Sequence, residues 1–224
     1  YTVSAYDNVS AYWGSTHEET LKALEKYDFI PGIFVWTGWD YLGEPTPYPY
    51  PARSSYFGIV DLAGFPKDAY YLYKSQWSNE PVLHVFPHWN WEKGQKVDVW
   101  AYYNQADEVE LFLNGKSLGT KTKQGNEMHV MWRVNYKPGK LRAVSRKDGE
   151  KVLERVIHTA GKPAKIALRP DRQTISADGR DLSFVKVKVL DKNGNLMPHA
   201  DNRIQFEVSG PGFIAGVDNG YQAS

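Results

Sequence analysis

Ile33-Phe34-Val35-Trp36-Thr37-Gly38-Trp39-Asp40-Tyr41 is the stretch whose reading decides the fold. Its first four residues are apolar without alternation, as expected of a strand covered on both faces, the habit of parallel sheets in α/β proteins. Pro31-Gly32 sets the run off from what precedes it. From Thr37 to Phe65 the chain is rich in Gly, Pro and Tyr. That connection is too long and too aromatic for a plain linker, and loops of this type often carry function. A buried strand ending in Trp36 and running into such a loop matches the C-terminal mouth of a (β/α)8 barrel, where side chains and loops after the strands build the site. A barrel of that kind is far larger than this piece, so the stretch predicts one part of a larger unit.

Helix signals flank the stretch. Gly14-Ser15-Thr16-His17-Glu18-Glu19 carries two overlapping capping boxes, Ser15 with Glu18 and Thr16 with Glu19, followed by a helix to about Lys26. Leu21, Leu24 and Tyr27 share one face of it. After Pro66 a second helix runs from about Lys67 to Trp77, with Tyr70, Tyr73 and Trp77 on one face. Beyond Pro81 the period changes from helix to strand: Val97, Val99 and Ala101 alternate with Asp98, Trp100 and Tyr102. Seven strands are expected, near 82–87, 96–103, 108–113, 117–122, 129–136, 140–146 and 152–159. Asn114-Gly115 and Asp148-Gly149 mark hairpins, and the set suits an immunoglobulin-like sandwich. After Gly161-Lys162-Pro163, strands at 165–169, 182–190 and 203–209 are too few to close a second sandwich. The expected fold class is therefore mixed: residues 1–80 as the end of a (β/α)8 TIM barrel, 81–160 as an immunoglobulin-like β-sandwich, and 161–224 as part of a second, with both ends of the chain expected to continue into further polypeptide.

A formal charge of +1, with acids interspersed among the bases, leaves no surplus of cations for nucleic acid or an anionic membrane. No run approaches the ~20 apolar residues of a membrane span. The absence of cysteine excludes disulfides and thiolate metal sites. Aromatics form 14% of the chain, including 8 Trp and 15 Tyr, enough flat rings to suggest stacking on sugars.

Three residues are the candidates for substrate contact. Trp36 at the strand end can stack on the apolar face of a sugar ring, against the alternative that it packs in a core. Asp40 can accept hydrogen bonds from sugar hydroxyls, and Glu44, in the same loop, can reach a hydroxyl or brace the loop. Arg53 and Ser54 are weaker candidates for the same mouth. Glu18 and Glu19 are explained by capping, so no catalytic residue is assigned. The six histidines give no metal set: His84 and His88 are four apart, but Pro87 between them forbids a helix. For the cluster His88-Trp89-Asn90-Trp91 the two readings are contact with substrate and packing between the sandwich and the barrel, and packing is favoured. No phosphate loop or nucleophile elbow is present, and no cofactor is implied.

The run from Phe34 to Tyr48, continuing through Ser54-Ser55-Tyr56-Phe57-Gly58-Ile59-Val60-Asp61 and Gly64-Phe65-Pro66-Lys67-Asp68, resembles the end of the catalytic barrel of β-galactosidases of glycoside hydrolase family 2. Phe86-Pro87-His88-Trp89-Asn90-Trp91 and Asp107-Glu108-Val109-Glu110-Leu111-Phe112-Leu113-Asn114-Gly115 resemble the sandwich that follows that barrel. The module ending in Gly216-Val217-Asp218-Asn219-Gly220 is similar to the further immunoglobulin-like domain of longer members. The resemblance implies retaining hydrolysis of terminal β-galactosides in oligosaccharides or polysaccharides. Two glutamates do this work, both supplied upstream of Tyr1, so this piece alone is expected to be inactive. Relatives that cleave β-glucuronides carry Asn-x-Lys just before the glycine matched by Gly58; Ser55-Tyr56-Phe57 offers neither amide nor cation there. Phe57 also stands where many β-galactosidases place an asparagine beside a monovalent cation, which argues against a metal. Relatives with this domain series are commonly exported by bacteria, so a periplasmic or secreted location is expected. The alternative from another class is a non-catalytic carbohydrate-binding or structural sandwich.

Overall fold

The computed structural model describes residues 4–46 and 48–221, so Tyr1 and Pro47 of the readings above lie outside the described residues. At its centre are seven antiparallel strands: β1 (Leu83–Phe86), β2 (Lys96–Tyr103), β3 (Glu108–Leu113), β4 (Lys116–Lys121), β5 (His129–Asn135), β6 (Lys140–Lys147) and β7 (Glu150–His158). They form one sheet ordered β1-β2-β5 and another ordered β4-β3-β6-β7. Two-residue turns join β3 to β4 and β6 to β7. At both, consecutive residues hold positive φ, 52° and 84° at Asn114-Gly115 and 50° and 82° at Asp148-Gly149, the twist that matches two paired strands. Alternation then sends Val97, Val99, Val109, Leu111, Val130, Trp132 and Leu141 into one core between the sheets, and Trp89 plugs it at 0% exposure.

The outer face of β1-β2-β5 is covered as well. Phe86, Trp100, Tyr102 and Met128 form a second core with Leu21 of α1 (His17–Lys26) and with Leu72 and Tyr73 of α2 (Asp68–Trp77). This is how α1, α2 and the segment of Ile33 and Val35 are stabilised: they dock on the sandwich. Tyr6 adds a tether, its hydroxyl donating to Asp98 O at 2.6 Å. The Tyr102 hydroxyl is buried in this interface with no hydrogen-bond partner among the described residues. A buried unpaired hydroxyl costs about 1–3 kcal/mol, so Tyr102→Phe is expected to raise stability by about 1 kcal/mol in urea unfolding; a loss would refute the assignment.

Several expectations are corrected. Ile33–Trp36 forms no ladder strand. Ile33 and Val35 pack against the second core, while Phe34 and Trp36 are 105% and 73% exposed. Backbone pairing begins only at Thr37, whose N–H donates to Phe57 O, and continues through a parallel bridge between Trp39 and Val60. A strand at 33–36 needs neighbours on both sides, and none lies beside it among the described residues. Of the two capping boxes only Thr16–Glu19 forms; Glu18 turns inward. The buried face of α2 is Leu72, Tyr73 and Ser75, and Trp77 is exposed. Residues 203–209 are unpaired, leaving β8 (Pro163–Pro170) and β9 (Val185–Asp191) as a two-stranded sheet. The His88-Trp89-Asn90-Trp91 cluster joins the sandwich to this C-terminal part instead of the helices: His88 meets His199 edge-on at 4.6 Å, and Asn90 exchanges hydrogen bonds with Ala160 at 2.8 and 2.9 Å. No helix among the described residues is long and apolar enough to cross a membrane.

Candidate functional site

The loop from Thr37 to Phe65 folds back on itself over the segment that the second core anchors. Because Ile33 and Val35 point into that core, the alternate positions Phe34 and Trp36 face outward, and this places the Trp36 indole at the surface. Its Nε1–H donates to the Tyr41 hydroxyl at 3.2 Å, and the rings meet edge to face at 6.2 Å. The Tyr41 hydroxyl in turn donates to Glu44. That hydrogen bond to a carboxylate raises the Tyr41 pKa and holds its proton. Gly43 and Glu44 take positive φ, 98° and 43°, which turns the loop sharply enough for Glu44 to reach back. Trp36, Tyr41 and Glu44 therefore form one connected, exposed rim, with an aromatic face and an acceptor side by side.

Asp40 is placed differently. Its side chain is 0% exposed and lies 2.7 Å from Lys67 Nζ through Oδ2; its Oδ1 accepts from Gly58 N–H and from Lys67 Nζ, both at 2.8 Å. Lys67 also donates to Tyr56 O at 3.2 Å. Here Asp40 braces the two arms of the loop against the start of α2, where the sequence suggested a sugar contact. Ser54 is fully buried, and Arg53 is exposed and gives its backbone carbonyl to Gly43 N–H. Ser55 is buried too, its Oγ accepting from Tyr41 N–H at 3.2 Å. Sequence reasoning missed Tyr41 and Lys67 as site residues. Both lie in the runs quoted above, but no local pattern announces that Lys67 reaches back 27 residues.

The remaining carboxylates nearby are occupied elsewhere. Glu19 caps α1, and Glu18, 5% exposed, bonds His129 of β5 and lies 3.2 Å from Lys22. His84 pairs with Asp68 at 2.6 Å and stacks on Tyr71 at 3.8 Å. No group of three or more His, Cys, Asp or Glu among the described residues is placed to hold a metal ion.

Known proteins resemble this chain along its whole length. Residues 94–153 match a domain of unknown function (DUF4982), and residues 166–224 match the glycoside hydrolase family 2 C-terminal domain 5. The β-galactosidase BoGH2A of Bacteroides ovatus is 61% identical over 100% of this chain and 26% of its own length. A putative β-glucuronidase of Formosa agariphila is 38% identical over 97% of this chain and 21% of its own length. Among solved structures, a β-glycosidase from Bacteroides vulgatus superposes with a TM-score of 0.83 at 35% identity, covering 90% of this chain and 26% of its own. The chain thus spans about a quarter of the length of these relatives. Its sheet-rich architecture and these matches together assign it to glycoside hydrolase family 2.

Proposed function

We propose that the complete protein is a retaining exo-β-galactosidase. One glutamate protonates the departing oxygen, another attacks the anomeric carbon to form a covalent glycosyl-enzyme, and water resolves it. Both glutamates come from polypeptide that this chain does not span. Within the same proposal, residues 1–80 complete a (β/α)8 barrel, 81–160 form one immunoglobulin-like sandwich and 161–224 belong to a second, and the protein is exported to the periplasm or the medium. The observation that carries this reading is the exposed rim of Trp36, Tyr41 and Glu44. It offers a ring face and an acceptor to a terminal sugar, yet among the described residues no second carboxylate stands beside Glu44 to complete a catalytic pair. Asp40 acts by holding that rim in place. The resemblance to β-galactosidases and the Ser55-Tyr56-Phe57 segment, which presents neither amide nor cation, favour a neutral sugar over a glucuronide.

The test uses the complete protein and this chain side by side on aryl β-galactoside and aryl β-glucuronide. The complete protein is expected to cleave the galactoside and this chain neither substrate. Turnover by this chain would overturn the placement of the glutamates, and preference for the glucuronide would overturn the sugar assignment. Trp36→Ala in the complete protein is expected to weaken galactose binding by about 1 kcal/mol, roughly fivefold. Unchanged affinity would return Trp36 to a packing role.

A further inference from the structure

On the side of the sandwich away from β7, the two sheets end in unpaired strands: β4 closes one and β5 the other. Between them runs a cleft of about 730 Å³, continued along β5 by a second of about 410 Å³ that shares Lys121 with it. Its floor is apolar, with Leu113, Leu118, Trp132 and Val134. Its rim carries Lys116, Lys121, Arg133 and Lys137 and, in the larger part, no carboxylate. Arg133 is held by Asp98 at 2.7 and 2.8 Å, whereas the three lysines have no ion-pair partner among the described residues.

The backbone of β5 adds a second kind of complementarity. Tyr136 N–H donates to Gln95 O on the β2 side at 2.7 Å. Strand amides alternate in direction, so those of Met131, Arg133 and Asn135 point away from β2 toward the open edge. All three residues line the two clefts. Residues 131–135 therefore present a row of free donors and acceptors ~17 Å long beside an apolar floor and a cationic rim.

We infer that this edge docks an extended acidic segment of a partner polypeptide, which adds to β5 as a further strand and sets its carboxylates against Lys116, Lys121 and Lys137. Main-chain pairing supplies affinity, and the pockets and charges along the edge supply selectivity. A second copy of this chain is disfavoured, because it would bring the same lysines to the same edge; lysines on edge strands repel like strands. A polysaccharide lacks what it needs here: Trp132 is 4% exposed and spends its indole N–H on Gly119 O at 3.1 Å, so no ring face is open for stacking. The inference is independent of the proposed glycosidase activity, since it uses none of the rim around Trp36.

The test measures binding of this chain to a capped peptide of alternating Glu and Val, seven residues long, by calorimetry at low salt. Binding is expected, and the triple variant Lys116→Glu/Lys121→Glu/Lys137→Glu, whose folding is checked by circular dichroism, is expected to lose roughly tenfold or more in affinity. A peptide of the same charge with Pro in place of Val cannot donate at alternate positions and should bind at least about tenfold more weakly. Three results would overturn the inference: no binding of the Glu-Val peptide, equal binding of the Pro peptide, or equal binding of an oligogalacturonate of matching charge.

Discussion

Gly58→Ala is expected to destabilise the chain by about 3 kcal/mol and to displace the loop that carries the rim, because added atoms in a site with no room force the backbone to move. A Cβ at Gly58 would lie 2.1 Å from Asp40 N, 2.3 Å from Trp39 C and 2.5 Å from Val60 O. All three atoms are backbone, so no side-chain rotation relieves the clash. The same glycine donates its N–H to Asp40, which ties the substitution to the brace as well as to the packing. Urea unfolding followed by tryptophan fluorescence measures the loss. In the complete protein the same change should lower activity on an aryl galactoside far more than Trp36→Ala does. A Gly58→Ala chain as stable as the parent would show that the loop closes differently.

His129→Ala is the second large effect, expected to cost about 3 kcal/mol, since removing one partner of a buried pair strands the other charge. His129 of β5 bonds Glu18 of α1 and stacks on Trp100 at 3.7 Å. After the change Glu18, with a side chain 6% exposed, would keep Lys22, itself 29% exposed, as its one ion-pair partner among the described residues. Adding Glu18→Gln should recover part of the loss, because residues in contact are not additive. Full additivity would show that the pair contributes nothing. The pair also sets a pH dependence. Burial pushes the Glu18 carboxyl up, but the hydrogen bond and charge of His129, followed by Lys22, outweigh it and hold the pKa below its ordinary 4.5. A carboxyl lowered by folding binds its proton more readily in the unfolded chain, so its stabilisation is complete above pH 4.5 and is lost as pH falls through the lower folded value. Acid titration of the parent and of Glu18→Gln should therefore diverge above that window and converge below it.

The strands of the sandwich were legible where burial alternates, as in β3 and β5, which writes a period of two into the sequence; in β2 Val97, Val99 and Ala101 enter the core between the sheets while Trp100 and Tyr102 enter the one under the helices. Helix α1 was legible from Thr16 and Glu19, whose capping contacts span three residues. The site was legible only as a region. Phe34 and Trp36 are as apolar as Ile33 and Val35, so composition could not say that the two pairs face opposite ways. Asp40 in an aromatic loop has the chemistry of a sugar contact. Its burial follows from Lys67, 27 residues away, just as the inward turn of Glu18 follows from His129, 111 residues away. Partners at such separations leave no periodic trace.

Asp191, at the end of β9, accepts from Gly161 N–H at 2.9 Å and from the backbone amides of Asn193 and Asn195, both at 2.8 Å, with the Asn195 side chain adding a further bond at 2.9 Å. The Gly161 amide and the Asn195 side chain hold this carboxyl well below the usual range for an aspartate. Gly161 directly follows Ala160, the residue that Asn90 grips from the sandwich side. One short joint is thus fastened from both directions, and the two-stranded arm beyond it is mounted like a rigid bracket rather than hung on a swivel. A push on that arm would be felt in the sandwich, and through its outer sheet in the helices packed there.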